Sequence, residues 1–159
     1  MDVTPSPRRA VAPLLLCALL AGAGLAPAAP AADLSGLKRV GTASFYADRF
    51  AGRPMADGTP MDPQGSNAAS RTLPLGTVAR VTNLQTGLSA IVRIRDRGPY
   101  RGGRIIDLSP GTARSIGLTP RQGLAKVEVA PILVPLPAGG MVLGEAAREG
   151  GAALASARR

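Results

Sequence analysis

Between about Gly41 and Ile132 the chain breaks into short β-type runs, each bounded by Gly, Pro or Asn, and this spacing restricts the fold to a β-barrel or β-sandwich. Thr77-Val-Ala-Arg-Val-Thr-Asn83 and Ser89-Ala-Ile-Val-Arg-Ile-Arg95 are two such runs. The connector Leu84-Gln-Thr-Gly-Leu88 joins them as a hairpin. In the second run the two-residue period puts Ala90, Val92 and Ile94 on one face and Arg93 and Arg95 on the other. If the strand continues, Asp96 falls on the apolar face. A third run, Arg104-Ile-Ile-Asp-Leu108, stops at Ser109, a good helix N-cap. Pro110 follows at the first helical position, and Gly117 is placed to end a short helix. Ala125-Lys-Val-Glu-Val-Ala130 alternates again and completes the set. With 20 Gly, 15 Pro, no Trp and only Phe45, Phe50, Tyr46 and Tyr100 as aromatics, a helical bundle is disfavoured.

The ends read differently from the middle. Arg8 and Arg9 precede an apolar stretch from Val11 to Leu25, too short to span a membrane. The small residues of Ala29-Pro30-Ala31 then suit a cleavage site before Ala32. Residues 1–31 are therefore expected to be a secretory signal peptide, with export across the inner membrane to the periplasm or cell envelope and no stable membrane anchor. Leu14-Leu-Leu16 ahead of Cys17 lack the small residues of a lipidation site, so a lipoprotein is not expected. Residues 32–39 are expected to be a short linker, 40–132 the β-domain, and 133–159, rich in Pro, Gly and Ala, a disordered tail.

Composition removes whole chemistries. There is no His, so a Ser-His-Asp triad, a Cys-His pair and a His-ligated zinc are excluded. The single Cys forms no internal disulfide. No metal and no cofactor is expected. Acid–base work at neutral pH falls to Asp, Glu, Tyr or Lys. The formal charge is +9, and loss of Asp2, Arg8 and Arg9 barely changes it. An exported cation meets anionic envelope polymers first, and without a lysine-rich run or aromatic platform no nucleic-acid partner is expected.

Four stretches stand together: Gly41-Thr-Ala-Ser-Phe-Tyr46, the segment from Phe50 to Asp62, Ala68-Ala-Ser-Arg-Thr-Leu-Pro-Leu-Gly76, and Asp96-Arg-Gly-Pro-Tyr100 followed by Gly103-Arg-Ile-Ile-Asp-Leu-Ser109. In this order they resemble the rare lipoprotein A (RlpA-like) family, over about residues 40–130. The resemblance implies a mainly β fold, a six-stranded double-psi β-barrel with one or two short helices, shared with expansins. It also implies an endolytic lytic transglycosylase that cuts between N-acetylmuramic acid and N-acetylglucosamine in peptidoglycan strands poor in stem peptides. Such cleavage uses no water and leaves a 1,6-anhydro sugar.

That chemistry needs a carboxylic acid for the glycosidic oxygen and a base for the C6 hydroxyl, which one residue can supply in turn. An apolar pocket would keep such an acid neutral. Asp96 and Asp62 are the candidate catalytic residues carried over from the family, with Asp107 and Ser70 behind them. Tyr46, Arg71, Arg97 and Tyr100 are the candidate substrate-binding residues, and Arg93, Arg95 and Arg97 are candidates for muramyl carboxylates. The chain departs from the family at Thr59, where the family has Glu, and at Ser70, where it has His. These losses imply weakened catalysis or, alternatively, a non-catalytic, expansin-like module that binds or loosens the wall.

Overall fold

The computed structural model describes Met1 and residues 30–157, so the expected signal peptide lies almost wholly outside the described residues. In chain order the elements are β1 (Arg39–Phe45), a 3-10 turn (Asp48–Phe50), β2 (Asn67–Ala69), β3 (Val78–Asn83) and β4 (Ser89–Asp96). They are followed by β5 (Arg104–Leu108), α1 (Pro110–Ser115), β6 (Ala125–Pro135), β7 (Met141–Leu143) and α2 (Glu145–Ala157). Pairing runs β1-β5-β2-β4-β3-β6, and a further β1–β6 ladder closes the ring. The result is a six-stranded barrel of mixed direction: β1 with β5 and β2 with β4 are parallel, and the other ladders are antiparallel. This is the double-psi β-barrel expected from the motifs. Closure leaves none of the six strands as a free edge, the usual liability of a sheet.

The local signals act as read. β3 and β4 form the hairpin, with Gly87 at φ 74° in its loop. Ser109 Oγ accepts the Thr112 amide at 3.2 Å, Pro110 occupies the first turn of α1, and Gly117, at φ 76°, ends it. Alternating residues fill the barrel: Val81, Val92, Ile94, Ile106, Leu108 and Val127 are each no more than 1% exposed. Ile116 and Leu118, delivered by the turn after α1, plug the same core. Each such side chain contributes ~1.5–3 kcal/mol by leaving water. Among the described residues no helix is long and apolar enough to cross a membrane.

The tail differs from expectation. Of the expected tail 133–159, residues 133–157 are not an unstructured extension, because β6 continues to Pro135, β7 pairs back onto it through Leu133, Val134 and Pro135, and α2 follows. Tertiary contacts outweigh the poor helix propensity of Gly150 and Gly151. The Lys38 amide donates to Glu145 Oε2 at 2.8 Å, and the Glu145 amide to the Gly36 carbonyl at 2.8 Å. Lys38 Nζ sits 2.9 Å from Glu149, 3.6 Å from Glu145 and 3.8 Å from Glu128, while Arg80 reaches Glu149 at 3.0 Å. The Glu149 hydrogen bond and the three carboxylates push the Lys38 ammonium above its usual value; Lys38 and then Arg80 hold Glu149 below its own. The segment ahead of β1 is thus pinned under α2 instead of hanging free.

Candidate active site

A lateral row of residues crosses four neighbouring strands. Ser44 on β1 is in register with Asp107 on β5, Asp107 with Ala69 on β2, and Ala69 with Asp96 on β4. Asp107 lies between the core residues Ile106 and Leu108, so alternation turns it away from the barrel interior. Asp96 arrives by another route. The β2–β4 register steps from Ala68 opposite Ile94 to Ala69 opposite Asp96, leaving Arg95 unmatched. The alternation that predicts Asp96 on the face of Val92 and Ile94 therefore breaks at a bulge. A bulge re-aims the next side chain, here onto the side of Ala69 and its small apolar cluster with Tyr46, Met55 and Met61. Two strand spacings separate Asp96 from Asp107, roughly 10 Å between Cα atoms. The two carboxylates line one cleft of about 380 Å³ with Tyr46, Phe50, Tyr100 and Arg104.

The carboxylates are held differently. Asp96 Oδ1 accepts the backbone amides of Ala56 at 3.0 Å and Arg97 at 2.8 Å, and Oδ2 accepts the Tyr46 hydroxyl at 3.0 Å. Oδ1 is thus engaged twice, while Oδ2 keeps an acceptor position. Among the described residues no cation pairs with Asp96. Asp107 Oδ1 instead accepts the Ser44 hydroxyl and lies 3.4 Å from Arg104, whose Nη1 also donates to Ser44 Oγ. Ala69 and Phe50 line the same cleft as Asp96, whose carboxylate is held by backbone amides. Among the described residues no third His, Cys, Asp or Glu joins the pair into a metal-binding group.

Tyr46 bonds to Asp96 and lines the cleft with both acids. It is 9% exposed and packs edge-on against Phe50, with ring centroids 5.9 Å apart. Burial pushes its phenol far above the usual value, and Asp96 and then Asp107 add to the effect. Tyr46 is therefore a fixed donor at every pH at which the fold survives. The raised value also works as linkage: the stability it carries is complete below the unfolded phenol value, about 10, and is lost as pH climbs above it. In a Tyr100→Phe variant Tyr46 is the only tyrosine left. Its phenolate absorbance is expected to stay flat through pH 11 and to rise only with loss of the β circular-dichroism signal. A free titration near pH 10 in folded protein would contradict the burial described here.

The remaining candidates divide. Arg97 lines the Asp96 cleft but spends its guanidinium on the carbonyls of Ser70 at 3.0 Å and Leu73 at 2.7 Å. Tyr100, 74% exposed, lines this cleft and, with Arg97 and Arg71, an adjoining hollow of about 360 Å³. These three side chains extend the cleft into a groove. Ser70 is 2% exposed, its Oγ accepts the Leu73 amide at 3.2 Å, and its own amide donates to the Asp96 carbonyl at 3.1 Å. It shapes the turn beside Asp96. Asp62 is not in this cleft: it accepts the Gln64 amide at 2.8 Å and lines a second cleft of about 410 Å³ with Thr59, Asn67, Arg93 and Arg95. The structure therefore gathers Tyr46, Asp96, Arg97, Tyr100 and Asp107, and leaves Asp62 and the Ser70 hydroxyl outside. Sequence reasoning missed Ser44 and Ala69. Both sit inside quoted motifs, but only strand register reveals the row they complete.

The family model described as lytic transglycolase matches residues 38–129. A probable endolytic peptidoglycan transglycosylase RlpA from Nostoc sp. is 52% identical over 91 residues, which are 56% of this chain and 24% of that protein. The endolytic peptidoglycan transglycosylase RlpA of Pseudomonas aeruginosa is 45% identical over 100 residues, 63% of this chain and 29% of its own length. That of Neisseria meningitidis is 40% identical over 104 residues, 65% and 43% of the two chains. The matched part thus spans less than half of each relative. Through the barrel that carries the Asp96 cleft, the chain belongs to the lytic transglycolase family.

Proposed function

We propose that this protein is an endolytic lytic transglycosylase of the bacterial cell envelope, exported to the periplasm, which cuts the bond between N-acetylmuramic acid and N-acetylglucosamine in peptidoglycan strands poor in stem peptides. The observation that carries the reading is the unequal pair in one cleft: Asp96, without a cation partner among the described residues, two strands from Asp107, which is paired to Arg104. The names of the relatives supply the substrate.

Protonated Asp96 gives its proton to the glycosidic oxygen as the bond to C1 of the muramyl sugar breaks, and N-acetylglucosamine leaves with a free 4-hydroxyl. The Asp96 carboxylate then takes the proton of the C6 hydroxyl as O6 closes on C1. Asp96 is returned to its acid form, and no water is consumed. Tyr46 holds Oδ2 and the Ala56 and Arg97 amides hold Oδ1, so the carboxyl does not swing between the two steps. Asp107, 3.4 Å from Arg104, faces the positive charge that develops on the sugar ring. Ala69 between them is the small residue that leaves room for that ring.

Thr59 stands away from these atoms, and Ser70 meets Asp96 only through its backbone amide, its hydroxyl being turned to the Leu73 amide. Thr59 Oγ1 donates to Asp57 at 2.5 Å and accepts Arg95 Nη1 at 3.2 Å, in the second cleft. Neither hydroxyl meets the Asp96 carboxylate, and activity is expected without the family Glu and His. Digestion of peptide-stripped peptidoglycan with residues 32–159, followed by mass analysis, is expected to release anhydro-muropeptides. Retention on sacculi with no released product would replace this reading with that of a wall-binding module.

A further inference from the structure

The second cleft lies on the same outer wall of the barrel, and the transfer chemistry just described makes no use of it. Arg93 of β4 stands opposite Asn67 on β2 and Val78 on β3, and all three line the cleft. Arg93 is exposed, and among the described residues its guanidinium has no hydrogen-bond or carboxylate partner. Arg95 is only partly satisfied, by Asp57 at 3.3 Å and Thr59 at 3.2 Å. Asn67 is 3% exposed, and among the described residues its Nδ2 has no hydrogen-bond partner. Buried amide donors are rarely left so, and this one lies beneath the floor of the cleft. The one carboxylate in the lining, Asp62, is held by the Gln64 amide and remains an acceptor for hydroxyls. Exposed Ile91 and Pro60 add an apolar wall on which a sugar face can rest.

We propose that this cleft is a carboxylate subsite: Arg93, flanked by Arg95, takes the free lactyl carboxylate of the muramyl residue one disaccharide along the strand from the bond at Asp96. The inference rests on the function proposed above and names the substrate feature it selects. Arg93 and Asp96 are three residues apart on β4, roughly 10 Å. A glycan strand repeats its muramyl residue once per disaccharide, about that length. Stripping a stem peptide hydrolyses the lactyl amide and leaves a carboxylate, the group a guanidinium binds bidentately. With the peptide in place the same carbonyl carbon carries a neutral amide, which a guanidinium binds less strongly than a carboxylate. Preference for stripped strands is then built into the binding surface.

The test measures binding by the Asp96→Asn protein, in which turnover is blocked, to peptide-stripped glycan oligomers and to the same oligomers with their carboxylates coupled to methylamine. The carboxylate form is expected to bind at least ~10-fold more tightly, with the preference fading as salt rises. Arg93→Gln in the same background is expected to abolish the preference and Arg93→Lys to keep part of it. Lys126→Gln, which removes a charge from β6 outside the cleft, is expected to retain it. Equal affinity for the two glycans, or a preference that survives Arg93→Gln, overturns the subsite. The two readings fail separately: cleavage by wild type without a carboxylate preference removes the subsite and leaves the transglycosylase. A preference lost in Arg93→Gln, with no cleavage by wild type, does the reverse.

Discussion

Asp96→Asn is expected to lower turnover of peptide-stripped glycan by a factor of ~100 or more, while glycan affinity changes less than about threefold. The amide preserves the size of the side chain and can still accept from Tyr46 or from the Ala56 and Arg97 amides. It removes the proton that both halves of the transfer use. Binding rests instead on the side chains of Tyr100, Arg97 and Arg71 in the groove and on the second cleft; Arg97 meets the Asp96 carboxylate only through its backbone amide, a bond the Asn side-chain oxygen can still accept. Progress curves on a fixed oligomer and calorimetric titration of the same oligomer separate the two quantities. A variant that turns over as wild type does would shift the proton chemistry to Asp107.

Gly144→Ala is expected to destabilise the fold by ~3 kcal/mol, lowering the melting temperature by roughly 10 °C. A Cβ on Gly144 would come within 2.1 Å of the Pro131 carbonyl oxygen and 2.4 Å of its carbon, backbone atoms in the middle of β6 that have no way to rotate aside. The substitution forces β7 and α2 away from β6, and with them the Gly144 amide bond to Ile132 and the Glu145 bond to Gly36. The barrel remains closed through β1 and β6, so cleavage below the melting temperature is expected to survive. Thermal unfolding followed by circular dichroism measures the loss. An unchanged melting temperature would mean that the C-terminal elements do not sit on β6 as described.

What was legible in the sequence follows from what is local. The β3–β4 hairpin, β5 and α1 each carry their own periodicity, turn glycine or cap, and each forms where those signals place it. The Asp96 motif and its family gave the fold, because a quoted set of turns and strand ends specifies a barrel that no single run does. The tail was not legible: α2 contains Gly150 and Gly151, and its stability lies in Lys38, Arg80 and Gly36, more than sixty residues away in sequence. Neither was the aim of Asp96. Two-residue alternation carries it to the core side, and only the unmatched Arg95 turns it toward Ala69. The placement of Asp62 and Ser70 was equally hidden, since motif order groups residues that the sheet distributes between two clefts and a buried turn.

The central claim is that Asp96 drives an intramolecular transfer that excludes water. Digestion of peptide-stripped peptidoglycan in heavy-oxygen water, with mass analysis of the new muramyl ends, tests it most directly. The account expects anhydro ends that carry no heavy oxygen, formed by wild type and absent with Asp96→Asn. New reducing ends carrying one heavy oxygen each would show hydrolysis at this cleft and contradict it.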